Sequence, residues 1–299
     1  MQNEVVQYID YYKVHDIKFC IKSHSEIDRD WLRYILKDYK ADEKIDSMVS
    51  VIVPNYDENG YMRNHLNNLD VKDLEVETLK GKMLWKHDHT PIPPFLVEPY
   101  YGKYVLLHGC GVSSKDGIKT LIVGSSMSGK TYLTLSLLEE GYKLITDDLI
   151  VFDYEDNKLL PYSKPIGLRE NTLRLDKRFK EYVENKDIFK LEFTANDGKK
   201  TWLIHIDDII PDSLYMDKID SIDRIMFLDG SVDDISEISF NEALSRISRS
   251  VIESGASKAR VIMYLANMLG KVNEFLVAPA RQSEKVASYV LGKDSITIG

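Results

Sequence analysis

Two cysteines, Cys20 and Cys110, are all that the chain carries in 299 residues. Thiols so few and so far apart exclude a disulfide framework and a cysteine-built zinc site, and they suit a reducing compartment. Positive charge is in deficit as well: 39 Lys plus Arg stand against 48 Asp plus Glu, for a net charge of -9. That balance excludes general nucleic-acid binding, which needs a basic face, although a local basic groove stays open. No apolar run approaches the roughly 20 residues of a membrane span. The opening Met1-Gln2-Asn3-Glu4 lacks the basic, then apolar order of a secretory leader. Internal repeats and low-complexity tracts are missing too. The expectation is a cytoplasmic protein with no nucleic-acid and no membrane partner; assembly into a homo-oligomer is left open. What remains is an ordinary globular composition, 43% hydrophobic and 29% charged, in a chain long enough for one large domain or two.

Residues 1 to 94 read as a separate α+β region. Lys18–Lys22 reads as a strand and Asp28–Tyr39 as a helix with Trp31, Leu32, Tyr34, Ile35 and Leu36 near one face. Met48–Val53 is a β-branched run closed by Pro54, and Asp57-Glu58-Asn59-Gly60 is a turn signal. His65, His87 and His89 are scattered; His87-Asp88-His89 has the alternation of two ligands on one strand face, but no third ligand accompanies it. The stacked prolines of Pro91-Ile92-Pro93-Pro94 mark the boundary. From Phe95 onward strands dominate: Tyr104–Val112, a turn at Ser113–Gly117, Thr120–Val123, Tyr142–Thr146, Leu149–Phe152, a hairpin at Asn196-Asp197-Gly198 returning through Trp202–Ile206, and Asp223–Gly230. Beyond Asn241 the pattern turns helical, over Glu242–Ile252, Ala256–Phe275 and Gln282–Leu291.

One stretch carries a recognisable chemistry. Thr120–Val123 is a short apolar strand, and Tyr132–Glu140 has helical apolar spacing stopped by Gly141. Between them lies Gly124-Ser125-Ser126-Met127-Ser128-Gly129-Lys130-Thr131, which fits G-x-x-x-x-G-K-[ST]. The strand and helix supply the context a phosphate loop needs. Its glycines let backbone N–H groups turn inward around a phosphate. The helix start adds partial positive charge. Lys130 reaches outer phosphates and the Thr131 hydroxyl binds Mg²⁺.

Acidic partners decide what such a loop does. Asp147-Asp148 follows Lys130 by 17 and 18 residues, at the end of the strand after the loop helix. One carboxylate there suits Mg²⁺ and the other suits a proton taken from an attacking hydroxyl. Were the chain to stay extended, the two would face opposite ways. A solvated turn between strands is the alternative. Asp229, after four apolar residues, has the form of a metal carboxylate but is followed by Gly230 as in a plain turn; Asp207-Asp208 is a third acidic candidate. His108, beside Gly109, stands at a strand end facing the loop strand, for phosphate contact or as an edge histidine. Arg169 is placed to stabilise charge on a transferring phosphoryl group, or to pair with Glu170.

Taken together, His108-Gly109, the loop Gly124–Thr131, a helix ending in Gly141-Tyr142 and Thr146-Asp147-Asp148 resemble the catalytic core of HPr kinase/phosphorylase. The resemblance is close from Leu107 to Phe152. It implies an α/β fold: a P-loop kinase core of the HPr kinase and phosphoenolpyruvate carboxykinase type, a β-rich mixed sheet with C-terminal helices over 95–299. It also implies an ATP- and Mg²⁺-dependent kinase acting on a serine of a peptide or protein. On that basis Lys130 and Thr131 serve phosphates and metal, Asp147 is the base, and Asp148 and His108 complete the metal and phosphate surroundings. Tyr132 stands where these enzymes usually carry Glu, and the Gly- and Arg-rich segment tied to their reverse reaction has no counterpart. The sequence is more similar to diverged HPr-kinase-like proteins of peptide natural products, some of which phosphorylate a serine of a lasso-peptide precursor. A small-molecule kinase and a nucleotide-binding regulatory module are the alternatives.

Overall fold

The computed structural model describes residues 8–53, 74–85, 91–175, 177–194, 198–253 and 256–296. Pro54, the turn at 57–60, His65, His87, His89 and the hairpin tip at 196–197 lie outside the described residues. The chain divides into two compact units, one of Met1–Tyr101 with Gly167–Ile204 and one of Gly102–Ile166 with His205–Gly299.

The first unit opens on the hairpin β1 (Tyr8–Val14) and β2 (Ile17–Ser23), followed by α1 (Glu26–Ile35), β3 (Val49–Val53), β4 (Glu75–Thr78) and β5 (Gly81–Leu84), with the five strands side by side in that order. The Ser25 side chain caps α1 by accepting from the Asp28 N–H, and Trp31, Leu32 and Ile35 bury its inner face. Arg29 and Arg33 of α1 both reach Asp10 of β1, at 3.0 and 2.6 Å. Burial works against the Asp10 charge, but the two guanidinium groups outweigh it and hold the carboxyl below its usual range.

The second unit is built on one long strand, β6 (Tyr104–Ser113). It is flanked by β7 (Lys119–Gly124), which leads through the glycine loop into α2 (Lys130–Glu139), and on its other edge by β8 (Lys143–Thr146) and β9 (Leu149–Asp153). A short β10 (Lys158–Leu160) closes that side against β9. The chain then contributes β11 (Ile166–Arg169), α3 (Glu170–Leu175), α4 (Lys177–Glu184), β12 (Leu191–Thr194) and β13 (Lys200–Ile204), with a three-stranded sheet in the order β11-β13-β12. The rest of the second unit is β14 (Arg224–Asp229), β15 (Ser236–Glu237), α5 (Phe240–Ser248), β16 (Val251–Glu253), α6 (Lys258–Leu269), β17 (Glu274–Pro279) and α7 (Ser283–Ile296).

The large sheet has nine strands and is mixed. β7, β14 and β17 run parallel to one another, whereas β6 is antiparallel to all of its neighbours. Alternation along β6 and β7 sends Val105, Leu107, Leu121 and Val123 into a core with Ala243 and Ile247 of α5 and Val261, Tyr264 and Leu265 of α6. Tyr104, Leu106, His108 and Cys110 therefore face the other side, where α2 packs against β6 and α7.

Two expectations for the C-terminal third are corrected. Val251–Glu253 is a strand on β6 and not the end of the Glu242–Ile252 helix. α6 stops at Leu269, capped by Gly270, rather than running to Phe275. Glu274–Pro279 is a parallel strand hydrogen-bonded along β14. All six of its residues find ladder partners there, which outweighs whatever helical spacing they share with α6.

At Gly109 the neighbours of β6 leave no room for a side chain. A Cβ there would sit 2.7 Å from Ile150 Cδ1 and 2.8 Å from the Ile122 carbonyl. The side chain of Ile150 is able to yield, but the β7 backbone is held by its own ladder. Gly109→Ala is expected to lower unfolding free energy by about 1–3 kcal/mol, as overpacking does, read from the urea midpoint. An unchanged midpoint would show that β6 and β7 can part without cost.

Candidate functional site

The sheet order brings three sequence motifs to one place. Gly109 pairs with Val123, one residue before the glycine loop, and on the opposite edge its N–H points to the Asp148 carbonyl at 3.4 Å. The loop leaves β7 at Gly124, where an added Cβ would meet Ser128 Oγ at 2.6 Å and the Leu228 carbonyl at 3.1 Å. It enters α2 through Gly129, whose φ of +100° belongs to the left-handed region. Ser125, Ser126 and Met127 form the exposed crest, and Met127 also has positive φ. Ser128 is buried, its Oγ without a hydrogen-bond partner among the described residues. Thr131 is partly exposed, one residue into α2.

Lys130 is 7% exposed, and its ammonium folds back on the loop. It donates to the Gly124 and Ser125 carbonyls, both at 2.9 Å, and approaches His108 Nε2 at 3.1 Å. An ammonium has only N–H donors, so Nε2 is the acceptor and the imidazole proton sits on Nδ1. That Nδ1 lies 3.1 Å from Asp148 Oδ1, and the other Asp148 oxygen accepts from Lys164 Nζ at 2.7 Å. Lys130, His108, Asp148 and Lys164 thus form one continuous chain of alternating donor and acceptor.

The acidic pair does not stay extended. Asp148 has φ +67°, a kink between β8 and β9. The two carboxylates consequently meet two residues on the same face of β6: Asp148 meets His108, and Asp147 accepts from the Cys110 thiol at 2.9 Å. Their environments differ sharply. Asp147 is 4% exposed, and burial, reinforced by the charge of Asp148, raises its carboxyl above the ordinary range. Asp148 is half-exposed, and Lys164, with help from His108, holds it far below that range. Burial and the neighbouring Asp147 together push the Cys110 thiol well up. Burial opposes the charge of Lys164 as well, but Asp148 and Asp147 outweigh it and raise its pKa.

Lys164 had no signal of its own in the sequence beyond a lysine before Pro165 in an extended stretch. Asp229 lies at the end of β14 with its carboxylate engaged by Arg246 at 2.7 Å and by the Ser231 N–H and hydroxyl. Arg246 first, then Ser231, bring it down to about 2. Asp207 and Asp208 belong to a single 3-10 turn, Ile206–Asp208. Arg169 is exposed at the end of β11, in the first unit.

Lys164→Met is expected to raise the pKa of both carboxylates, Asp148 toward its ordinary value, because the cation that lowers each is gone. The sign for stability follows. A lowered carboxyl stabilises the fold above its unfolded pKa and loses that contribution as pH falls through its folded value. A raised one has the opposite slope, so stability is gained as it takes up its proton. In the variant Asp148 no longer differs from its unfolded value and Asp147 is raised further, so Tm should rise more steeply than in wild type as pH falls from 7 to about 5. Carboxyl chemical shifts across the same titration check the assignment, and parallel Tm curves would contradict it.

No family model matches the chain. A curated protein of Chloroherpeton thalassium (strain ATCC 35110 / GB-78), described as HPr kinase/phosphorylase, is 30% identical over 106 residues, 31% of this chain and 29% of that protein. The match thus spans about three tenths of that relative's length. The structure of the Hpr(Ser) kinase/phosphatase from Coxiella burnetii aligns over 65% of this chain and 99% of its own, with a TM-score of 0.34 and 15% identity. In sequence, over the aligned stretch, this chain resembles HPr kinase/phosphorylase.

Proposed function

We propose that the protein is an ATP- and Mg²⁺-dependent, cytoplasmic kinase that transfers the γ-phosphoryl group to a serine hydroxyl of a peptide or protein. The observation that carries this reading is the hydrogen-bonded chain from Lys130 through His108 to Asp148 and Lys164. It ties a phosphate-binding loop after β7 to the acidic pair between β8 and β9, across His108 of β6. A module that only bound nucleotide would need no such connection. The kinase family that the sequence resembles supports the reading independently.

The residues present fit the two absent groups. A phosphate needs a cradle that side chains would fill, and Gly124 and Gly129 leave one. It needs donors, which are the loop N–H groups and the Lys130 ammonium, now resting on the Gly124 and Ser125 carbonyls. A hard divalent cation needs oxygen ligands, and the Thr131 hydroxyl and the ionised Asp148 supply them. Bound Mg²⁺ would neutralise charge on the transferring phosphoryl group.

The acceptor hydroxyl loses a proton as it attacks. A pair of carboxyls whose pKa values are driven apart is the usual arrangement for dividing such tasks. Asp147, the more basic of the two, takes the proton; Asp148, held ionised, would be a ligand for the metal. His108 orients Lys130 and Asp148 at once. The acceptor class includes a precursor peptide of the lasso type, and residues 95–299 are the catalytic domain in this proposal.

Incubation of Mg-ATP with candidate serine peptides, followed by mass spectrometry, tests the reaction. Lys130→Ala should abolish the thermal shift given by Mg-ATP while the apo Tm changes little. Thr131→Ala should lower Mg²⁺-dependent turnover more than nucleotide binding without metal. Asp147→Asn should keep ATP affinity and lower single-turnover transfer by about 10²-fold or more. If Asp148→Asn is dead and Asp147→Asn transfers at the wild-type rate, the half-exposed carboxylate is the base.

A further inference from the structure

β17 ends at the same sheet edge as the glycine loop, because β7, β14 and β17 are parallel and in register: Leu228 of β14 pairs with both Gly124 and Ala278. The turn that follows, Ala280 to Gln282, is fastened at both ends. The Ala280 N–H donates to the Asp229 carbonyl at 2.9 Å, and Ser283 Oγ donates to the Gly129 carbonyl at 3.3 Å. Between them the Arg281 N–H donates to the Ser128 carbonyl at 2.9 Å. The fit is tight: a Cβ on Gly129 would lie 2.7 Å from Ser283 Oγ and 3.6 Å from the Arg281 nitrogen.

Arg281 itself has φ +64°, a conformation that glycine adopts freely and other L residues avoid. Its side chain is exposed, and among the described residues its guanidinium has no hydrogen bond or ion pair. The other cations near the loop are engaged: Lys130 by two carbonyls and His108, Lys164 by Asp148. A strained backbone that presents an unengaged cation beside an anion cradle is a functional arrangement rather than a packing one.

We propose that Arg281 is a phosphate-binding residue of the nucleotide site, closing on the phosphate chain from the β17 side of the loop while Lys130 holds it from the β6 side. This rests on the nucleotide reading above. A guanidinium binds phosphate through paired, charge-assisted hydrogen bonds. Its backbone tie to Ser128 sets that reach relative to the loop, so the residue acts as part of the loop although about 150 positions separate them in sequence.

The test compares Arg281→Gln, Arg281→Gly and Arg281→Lys in the full chain by calorimetric titration with Mg-ATP and by competition with inorganic tripolyphosphate. Gln removes the charge; Gly removes it while accepting the positive φ, so the turn stays docked and the apo Tm does not fall. Both should bind ATP about 10- to 100-fold more weakly, the loss expected for hydrogen bonds to a charged group. Both should lose the same factor for tripolyphosphate, and Lys should recover part of it. ATP affinity equal to wild type in Gln and Gly overturns the proposal. So does a loss confined to ATP, which would place the arginine on the nucleoside. Wild-type protein that binds no ATP refutes the nucleotide reading itself, an outcome separate from either.

Discussion

The Lys130 ammonium sets the terms for everything around it. It is nearly buried, carries three protons, and finds three acceptors: two loop carbonyls and His108 Nε2. That demand fixes the imidazole tautomer, the tautomer fixes Nδ1–H toward Asp148, and the charge of Asp148 draws in Lys164. Each cation in the row is separated from the next by a group that accepts from it. Under the function proposed above, a phosphate would offer the same ammonium oxygen acceptors like those carbonyls.

β6 is what makes the row possible. Its odd positions lie in the core beneath α5 and α6, and its even positions His108 and Cys110 face the side of α2. The same strand pairs with β7 on one edge and with β8 and β9 on the other, so the loop and the acidic pair are each one ladder away from it. Neither could shift without breaking the register of the other. Burial of Leu107, Leu121, Val123, Ile225 and Phe227 in one cluster supplies the stiffness that holds side chains at hydrogen-bonding distance.

Local chemistry was legible in the sequence, and long-range geometry was not. The loop announces itself because each of its residues answers a local need: glycine for positive φ, lysine for charge, a strand before and a helix after. The strands from Tyr104 to Phe152 were readable for a similar reason, as apolar runs bounded by turn residues. Lys164 was not, since a single lysine before proline has no pattern and matters through the carboxylates 16 and 17 positions away. The kink at Asp148 escaped as well: aspartate tolerates the left-handed region, but nothing in Thr146-Asp147-Asp148-Leu149 requires it. The helical reading Ala256–Phe275 took in the first two residues of β17, Glu274 and Phe275, because α6 and β17 are both apolar and only Gly270 to Asn273 separates them. Missing that strand hid the position of Arg281.

The kink at Asp148 has a consequence for how this chain can vary. Across an unbroken strand, neighbouring side chains alternate sides, so an adjacent pair can never address one surface together. A single residue in the left-handed region suspends that alternation for one step and turns a dipeptide into a two-pronged fork, with prongs spaced to match positions two apart on the facing strand. Substitutions that restore regular extension, such as a β-branched residue at 148, would undo the fork even while leaving Asp147 in place. An accidental insertion on β6 would instead keep the fork and slide its partners out of reach. Retaining the glycine loop is therefore not enough for the row to form: the backbone at 148 has to be preserved along with the side chains it presents.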